Sequence, residues 1–436
     1  MMKITVKESS MVKPSKTTPD ERIWNSNLDL VVGRIHILTL YFFRPNGSEN
    51  FFDSGVLKKS LADVLVWFFP MAGRLGKDGD GRVEINCNGE GVLFVEAEAD
   101  REIDDFGEIT PSPELRRLVP TVDYSGDISS YPLVVTQVTR FKCGGISLGF
   151  GIHHTLSDGL SSLHFINEWS NVTRGLSVAV PPFVDRTILR ARDPPNVIFD
   201  HVEYHTLPSI NESSDTDKVH ANDHLSATTS ILRLTFEQLN AIKAKGKGDG
   251  TIRHSTYEIL AAHLWRCVCK ARGLQNDQPT KLYVATDGRS RLIPPLPPGY
   301  LGNVVFTATP VAKSDELESE PLANTARRIH AELAKMNNEY LRSALDYLES
   351  QPDLSALIRG PSYFASPNLN INSWTRLPVY DADFGWGRPI FMGPASILYE
   401  GTIYVIPSPS DDRSVLLAVC LDPSHMPLFG KYLYEF

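Results

Sequence analysis

Bulky and small residues alternate along Ile146-Ser147-Leu148-Gly149-Phe150-Gly151-Ile152, which predicts a strand, and the apolar spacing from Leu160 to Thr173 predicts a helix directly after it. Further strands are expected over Ile35 to Phe43, Gly91 to Ala97 and Leu133 to Phe141, with a helix from Phe52 to Trp67 between the first two. Periodicity is lost between Asp193 and Ala227, where Pro194-Pro195 is followed by the polar run Asn211 to Lys218, the pattern of a crossover. It returns with a strand from Thr229 to Leu234 and with Thr235, whose partner Gln238 three residues later is a helix-capping signal; a polar loop is expected from Lys243 to Gly250. His254 to Glu258 then opens a long helix through Lys270, with Ile259, Leu260, His263, Leu264 and Cys267 on one face. Pro294 to Gly299 reads as a rigid connector, and the absence of an internal repeat excludes solenoids and propellers.

A chain of 436 residues exceeds what one hydrophobic core usually serves. The break in periodicity places the boundaries: an N-terminal domain over 1–193, a linker over 194–228 and a C-terminal domain over 229–436. With 42% hydrophobic and 22% charged residues the composition is that of an ordinary globular protein. A net charge of -9 argues against nucleic acid as the main partner, because phosphate binding needs a basic surface. No apolar run reaches membrane-spanning length and Met1 to Lys16 lacks the apolar core of a signal peptide, so a cytoplasmic protein without membrane partners is expected. The five cysteines, Cys87, Cys143, Cys267, Cys269 and Cys420, have no metal-ligand spacing; they read as reduced core residues, and no metal is expected.

Candidate chemistry lies at the end of the 146–152 strand, in His153-His154-Thr155-Leu156-Ser157-Asp158-Gly159. An imidazole held at a strand exit titrates near neutrality and can take a proton from a hydroxyl or amine and return it to a leaving group. Asp158 can orient that ring, as in a catalytic triad, or face the protein and pin the loop through an arginine. Spacing does not choose between these roles.

A second motif, Asp383-Phe384-Gly385-Trp386-Gly387, stands near the C-terminal end. Together, in this order and separation, the two motifs resemble those of the plant BAHD acyl-CoA-dependent acyltransferases. The resemblance runs through Phe69 to Leu75, Pro182 to Arg186, Asp287-Gly288-Arg289 and Pro298 to Asn303, and so covers nearly the whole chain. Ser255 to Glu258, Arg376-Leu377-Pro378 and Gly387 to Pro394 are most similar to the hydroxycinnamoyl-CoA shikimate/quinate branch.

The resemblance implies an α/β fold of two similar-sized domains of mixed β-sheet flanked by helices, like chloramphenicol acetyltransferase, with an active-site channel between them. It implies His154 as the base, because three residues separate it from Asp158, and a structural Asp158 paired with Arg289. Asp383, Gly385 and Trp386 would form a packed structural turn. His36, Thr39 and Tyr41 match acyl-pocket positions, with Thr39 and Tyr41 on one strand face. Ser255 and Thr256, at a helix start suited to anions, are the CoA candidates. Arg359 matches an arginine that grips the acceptor carboxylate, with Asn372 and Trp374 beside the acceptor.

The expected reaction moves a p-coumaroyl or caffeoyl group from CoA, a co-substrate, to the hydroxyl of a small hydroxy acid, with small molecules as the only partners of a monomer and no resident cofactor. Thr155 stands where that branch has a second histidine, Asn372 where it has threonine, and Ala395-Ser396 where it has two glycines. These departures keep open malate and, as in the related rosmarinate synthases, an aryl-lactate such as 4-hydroxyphenyllactate. An amine acceptor is disfavoured because Arg359 would repel a cation. A protein that binds acyl-CoA without turnover is the rival of another class.

Overall fold

A computed structural model describes residues 2–205, 227–248, 252–410 and 412–436. In chain order the first half runs β1 (Ile4–Val12), β2 (Arg22–Trp24), α1 (Asn27–Leu30), β3 (His36–Phe43), α2 (Ser54–Val64), β4 (Arg74–Lys77), β5 (Val83–Asn86), β6 (Val92–Ala99), α3 (Pro113–Arg116), β7 (Val134–Arg140), β8 (Ile146–His153) and α4 (Gly159–Thr173). The second half runs β9 (Thr228–Leu234), α5 (Phe236–Lys245), α6 (Thr256–Arg272), β10 (Pro279–Asp287), β11 (Val305–Ala308), β12 (Val311–Lys313), α7 (Ser314–Ser319), α8 (Leu322–Lys335) and α9 (Asn338–Glu349). It ends with α10 (Pro361–Phe364), β13 (Leu369–Ser373), β14 (Phe391–Pro394), β15 (Thr402–Pro407), β16 (Val415–Leu421) and α11 (Met426–Leu433).

Two mixed sheets organise these elements. The first has the order β1-β6-β7-β8-β3-β14, with β6 and β7 parallel and the other pairs antiparallel. The second has the order β11-β10-β13-β15-β16-β9, with β12 also paired to β10. The strands β2, β5 and β4 form a small third sheet. Helices flank both large sheets: α2 and α4 pack with Tyr41, Phe43, Leu148 and Phe150 on one side of the first, and α6 is buried against the second through Leu260, Leu264, Trp265 and Val268. The chain is thus an α/β protein of two sheet-rich bodies. Among the described residues, no helix is long and apolar enough to cross a membrane.

The alternation in β8 has a direct steric cause. Ile146, Leu148, Phe150 and Ile152 enter the core shared with α2 and α4, while the opposite face is crowded by neighbouring chain. A Cβ on Gly149 would come within 2.2 Å of the Leu118 carbonyl oxygen, and one on Gly151 within 2.8 Å of Val135 Cγ2. Only glycine lets β8 lie that close, which fixes the level at which His153 and His154 leave the sheet.

Three expectations need correction. The expected unit 229–436 lends β14 to the first sheet, where Phe391 pairs with Phe42 and Pro394 with Thr39. Phe391 and Met392 are buried there, on opposite faces, and β14 covers an edge of β3 that would otherwise stay open. The polar loop expected from Lys243 begins later, because α5 continues to Lys245; Leu239 and Ile242 anchor its buried face, and Lys243 and Lys245 suit the negative end of the helix dipole. The helix expected over Phe52 to Trp67 is trimmed to Ser54–Val64, started by the Asp53 side chain accepting from the Val56 amide. Of the expected linker, residues 206–226 lie outside the described residues, and positions 194–205 end in a short turn, Val202–Tyr204.

Candidate active site

The β8 strand ends at His153, and the next residue, His154, is anchored by its amide donating to the Ile35 carbonyl at 2.9 Å. The two neighbouring histidines have different surroundings. His153 is fully buried, with its Nδ1 accepting from the Thr155 amide at 3.3 Å and its ring against Tyr131 and His36. His154 is half-buried at the strand exit. Its Nδ1 is buried with no hydrogen-bond partner among the described residues, and its own carbonyl and that of Ser157 lie near the ring. Burial lowers the His154 pKa; its own carbonyl and Asp158 oppose this, and the Arg359 charge reinforces it. The ring is therefore neutral at physiological pH, with a lone pair on one of its two nitrogens.

The loop after His154 is held by two buried ionic groups. Asp158 is turned into the protein, where Arg289 grips it with two bonds, Nη1 to Oδ2 at 2.9 Å and Nη2 to Oδ1 at 3.0 Å. The same carboxylate accepts from the Ser161 and Val304 amides, both at 3.0 Å, and so caps α4 as well. These four bonds saturate it, and Arg289 holds its pKa below the usual carboxylate range despite burial. Its geometry is that of a loop pin rather than a ring-orienting triad member.

The second group was not legible as a site. Arg186 is 1% exposed and meets Asp29 at 3.2 Å, Asn25 Oδ1 at 2.7 Å and the carbonyls of Thr155, Leu156 and Leu301 at 3.2, 2.5 and 3.1 Å. Asn303 joins Asp29 to the His154 carbonyl through Nδ2, at 2.9 and 2.8 Å. This network draws on residues from α1, the segment after α4 and the approach to β11, so it clamps the backbone of the His154 loop from three distant parts of the chain. Ser26 and Asp29, three apart before the apolar Leu30-Val31-Val32, carry a capping-box signal, but no spacing points to Arg186 or Asn303 as their partners.

Facing the same region is Arg359, half-buried between α9 and α10. Its amide donates to the Val31 carbonyl at 3.1 Å and its guanidinium lies 5.8 Å from the Tyr363 ring. Nε and Nη2 are buried without hydrogen-bond partners, and among the described residues it forms no ion pair within 4.0 Å. Tyr363, Tyr204 and the buried Glu203 nearby outweigh desolvation and keep it charged. A buried guanidinium with unused donors is costly unless something anionic meets it.

The remaining candidates separate into those near this region and those elsewhere. Thr39 is half-buried on β3; Tyr41 is fully buried, with a hydroxyl that has no hydrogen-bond partner among the described residues. Strand alternation puts His36 on the other face, where Tyr124 Oη and the Pro132 carbonyl occupy both ring nitrogens at 2.6 and 2.9 Å and burial lowers its pKa to about 4. Asn372 on β13 sits opposite Tyr404 of β15, and Trp374 packs edge-on against the same tyrosine at 5.0 Å.

Ser255 and Thr256 are exposed at the start of α6, but the Ser255 hydroxyl already accepts from the Glu258 amide at 3.2 Å as the helix cap. The Asp383 motif is a turn: Asp383 Oδ1 accepts from the amides of Gly385 and Gly387 at 2.8 and 3.0 Å, and both glycines have positive φ. Trp386 packs on Phe52 at 4.8 Å, and Asn46 donates to its carbonyl at 3.2 Å. That turn therefore ties the C-terminal half to the first sheet's core.

The transferase family model matches residues 2–435. Over the full length of both chains, the protein is 57% identical to a shikimate O-hydroxycinnamoyltransferase from Nicotiana tabacum. Identity is 53% to a hydroxycinnamoyl-CoA:5-hydroxyanthranilate N-hydroxycinnamoyltransferase from Avena sativa and 46% to a rosmarinate synthase from Plectranthus scutellarioides, again over the whole of each. Among solved structures, vinorine synthase matches with a TM-score of 0.75 at 22% identity, covering 98% of this chain and 96% of that one. The chain belongs to the transferase family, as a BAHD-type acyl-CoA-dependent acyltransferase.

Proposed function

We propose that this enzyme transfers a hydroxycinnamoyl group, p-coumaroyl or caffeoyl, from CoA to the hydroxyl of a small hydroxy carboxylic acid of the shikimate or quinate type. The observation that carries the reading is a neutral His154 that feels the charge of Arg359, whose Nε and Nη2 are buried without hydrogen-bond partners among the described residues.

In this reading His154 Nε2 removes the acceptor's hydroxyl proton as its oxygen attacks the thioester carbonyl. In this reading the ring carries its proton on Nδ1, which leaves the Nε2 lone pair for the acceptor. The tetrahedral intermediate then collapses, the carbon–sulfur bond breaks, and the proton on Nε2 passes to the departing CoA sulfur. The thioester supplies the activation, so no covalent enzyme intermediate is needed. Asp158 and Arg289 keep the loop in place without touching the reacting atoms, and the Asp383 turn supports the fold. Arg359 binds the acceptor carboxylate with its fork of donors. CoA reaches His154 through a channel between the two bodies, passing Ser255 and Thr256, with the acyl group beside Thr39 and Tyr41 and the acceptor beside Asn372 and Trp374. Five unpaired cysteines suit a reducing, cytoplasmic setting, and the enzyme acts as a monomer.

The Trp374 and Tyr404 rings beside Asn372 favour a second acceptor reading: an acid that carries an aromatic ring, either 4-hydroxyphenyllactate or an aminobenzoate. An aryl amine is uncharged at neutral pH, so it escapes the repulsion by Arg359 that disfavours aliphatic amines, while its carboxylate still meets the guanidinium. The test is CoA release from p-coumaroyl-CoA and caffeoyl-CoA with shikimate, quinate, 4-hydroxyphenyllactate, malate and 5-hydroxyanthranilate, with His154→Ala alongside. Turnover of shikimate or quinate that the variant lacks supports the main reading, and preference for 4-hydroxyphenyllactate or 5-hydroxyanthranilate selects the second. Binding of the thioester with no CoA released by any acceptor overturns both in favour of a non-catalytic binder.

A further inference from the structure

Away from His154, the described residues bring together three metal-ligating side chains that the acyl-transfer reading does not use: His254, Glu258 and His330. His254 directly precedes the Ser255 cap of α6, Glu258 lies in that helix's first turn, and His330 projects from α8, which packs along α6. One nitrogen or oxygen from each residue lies within 4.8 Å of the other two. His330 Nδ1 is 3.0 Å from Glu258 Oε1, and His254 Nδ1 is 3.9 Å from Glu258 Oε2. Ligands bound tetrahedrally at ~2.0–2.1 Å stand roughly 3.4 Å apart, so a set already within 4.8 Å closes on one ion by small side-chain adjustments.

A second observation points into the same spot. The His254 side chain is 3% exposed, yet its Nδ1 is buried with no hydrogen-bond partner among the described residues. An unmet polar atom of that kind is costly, and buried nitrogens are otherwise almost always satisfied. The Glu258 carboxylate is already oriented, because Oε2 accepts from the Ser255 amide at 2.6 Å in the capping box while Oε1 faces His330. Support of this sort fixes a ligating carboxylate before the ion arrives.

We propose that His254, Glu258 and His330 form a binding site for one first-row divalent cation, with zinc the best match. Two imidazoles and one carboxylate are a zinc-type donor set, and the fourth position stays open to water or an anionic group. Coordination by His330 Nδ1 breaks its hydrogen bond to Glu258 and moves the ring proton to Nε2, which water can solvate because that side chain is 40% exposed. The ion would tie the first turn of α6 to α8. The sequence hides this site because the third ligand lies 72 positions beyond Glu258, on another helix.

The experiment is zinc titration of the chelator-stripped full-length protein by calorimetry, with thermal unfolding and the visible absorption of the cobalt(II) form as further readouts. The expected result is saturable binding of one ion per chain, a higher unfolding temperature with zinc, and a tetrahedral cobalt spectrum. His330→Ala, at a partly exposed position that the fold tolerates, should weaken binding at least about tenfold, and Glu258→Gln should do the same with the helix cap retained. Cys143→Ser, which removes the half-buried thiol, should leave binding unchanged. Absence of saturable binding overturns the proposal, as does zinc affinity that His330→Ala and Glu258→Gln leave intact or that Cys143→Ser abolishes.

Discussion

Removing the Asp158 carboxylate tests the loop-pin geometry most directly. In Asp158→Ala, Arg289 loses both short bonds and stays in a pocket where its side chain is 13% exposed. Breaking a buried pair from one side costs ~3–5 kcal/mol, because the remaining charge is left uncompensated. Here Arg289 keeps Asp287 at 2.9 Å, Ser161 Oγ at 2.8 Å and the Gly302 carbonyl at 3.2 Å, which places the pair's share near the low end of that range. Loss of the α4 cap adds about 1 kcal/mol. A total of roughly 4 kcal/mol lowers the unfolding temperature by roughly 8–16 °C, at the ~2–4 °C per kcal/mol of a cooperative unit of about 150–250 residues.

The assay is thermal unfolding of the wild type, Asp158→Ala, Asp158→Asn, Arg289→Ala and the double alanine variant. The double variant should be less destabilised than the sum of the singles, since it leaves no unpaired charge. Asp158→Asn should keep the cap and part of the loss should return. The Asp158 pKa is depressed in the folded state, so its contribution is present above the unfolded value near 3.9 and is lost only as the pH falls through the lower folded value. The deficit of Asp158→Ala should therefore be the same from about pH 5 upward. An unchanged unfolding temperature combined with a collapse in kcat would refute the argument and return Asp158 to a ring-orienting role.

Four further outcomes follow from the same geometry. His154→Ala should cost about 10²–10⁴ in kcat with little change in stability, checked by CoA release beside a melting curve. Because burial and Arg359 both lower the His154 pKa, the acid limb of kcat/KM should turn below pH 6.5, and Arg359→Met should move that turn to higher pH while raising the acceptor KM; a pH profile of both proteins checks it. Tyr41→Phe should leave the unliganded protein at least as stable as wild type, since the hydroxyl it deletes is buried without a partner. Trp386→Ala should destabilise by ~3–5 kcal/mol through lost packing on Phe52, and at a temperature where it stays folded its kcat should be close to normal.

Local chemistry made much of this protein readable from its sequence. The β8 strand follows from alternating bulky and small residues, and the cap at Thr235 follows from a short polar side chain with Gln238 three residues on. Within those limits the sequence also put an imidazole at a strand exit, with a carboxylate four residues on, and it supplied the family's motifs.

What remained depends on contacts between residues distant in the chain, which spacing does not encode. Whether Asp158 faced His154 or the protein was settled only when Arg289 arrived from 131 positions away. Asp29, Arg186 and Asn303 are unremarkable apart, and become a clamp because folding buries them together, where each unmet polar group would be costly. The β14 strand lies in the second half of the chain but covers the edge of β3, an assignment set by packing rather than by order. His36 and Tyr41 read alike as pocket residues on one strand, yet the packing on its two faces gave one ring two hydrogen-bond partners and left the other's hydroxyl with none.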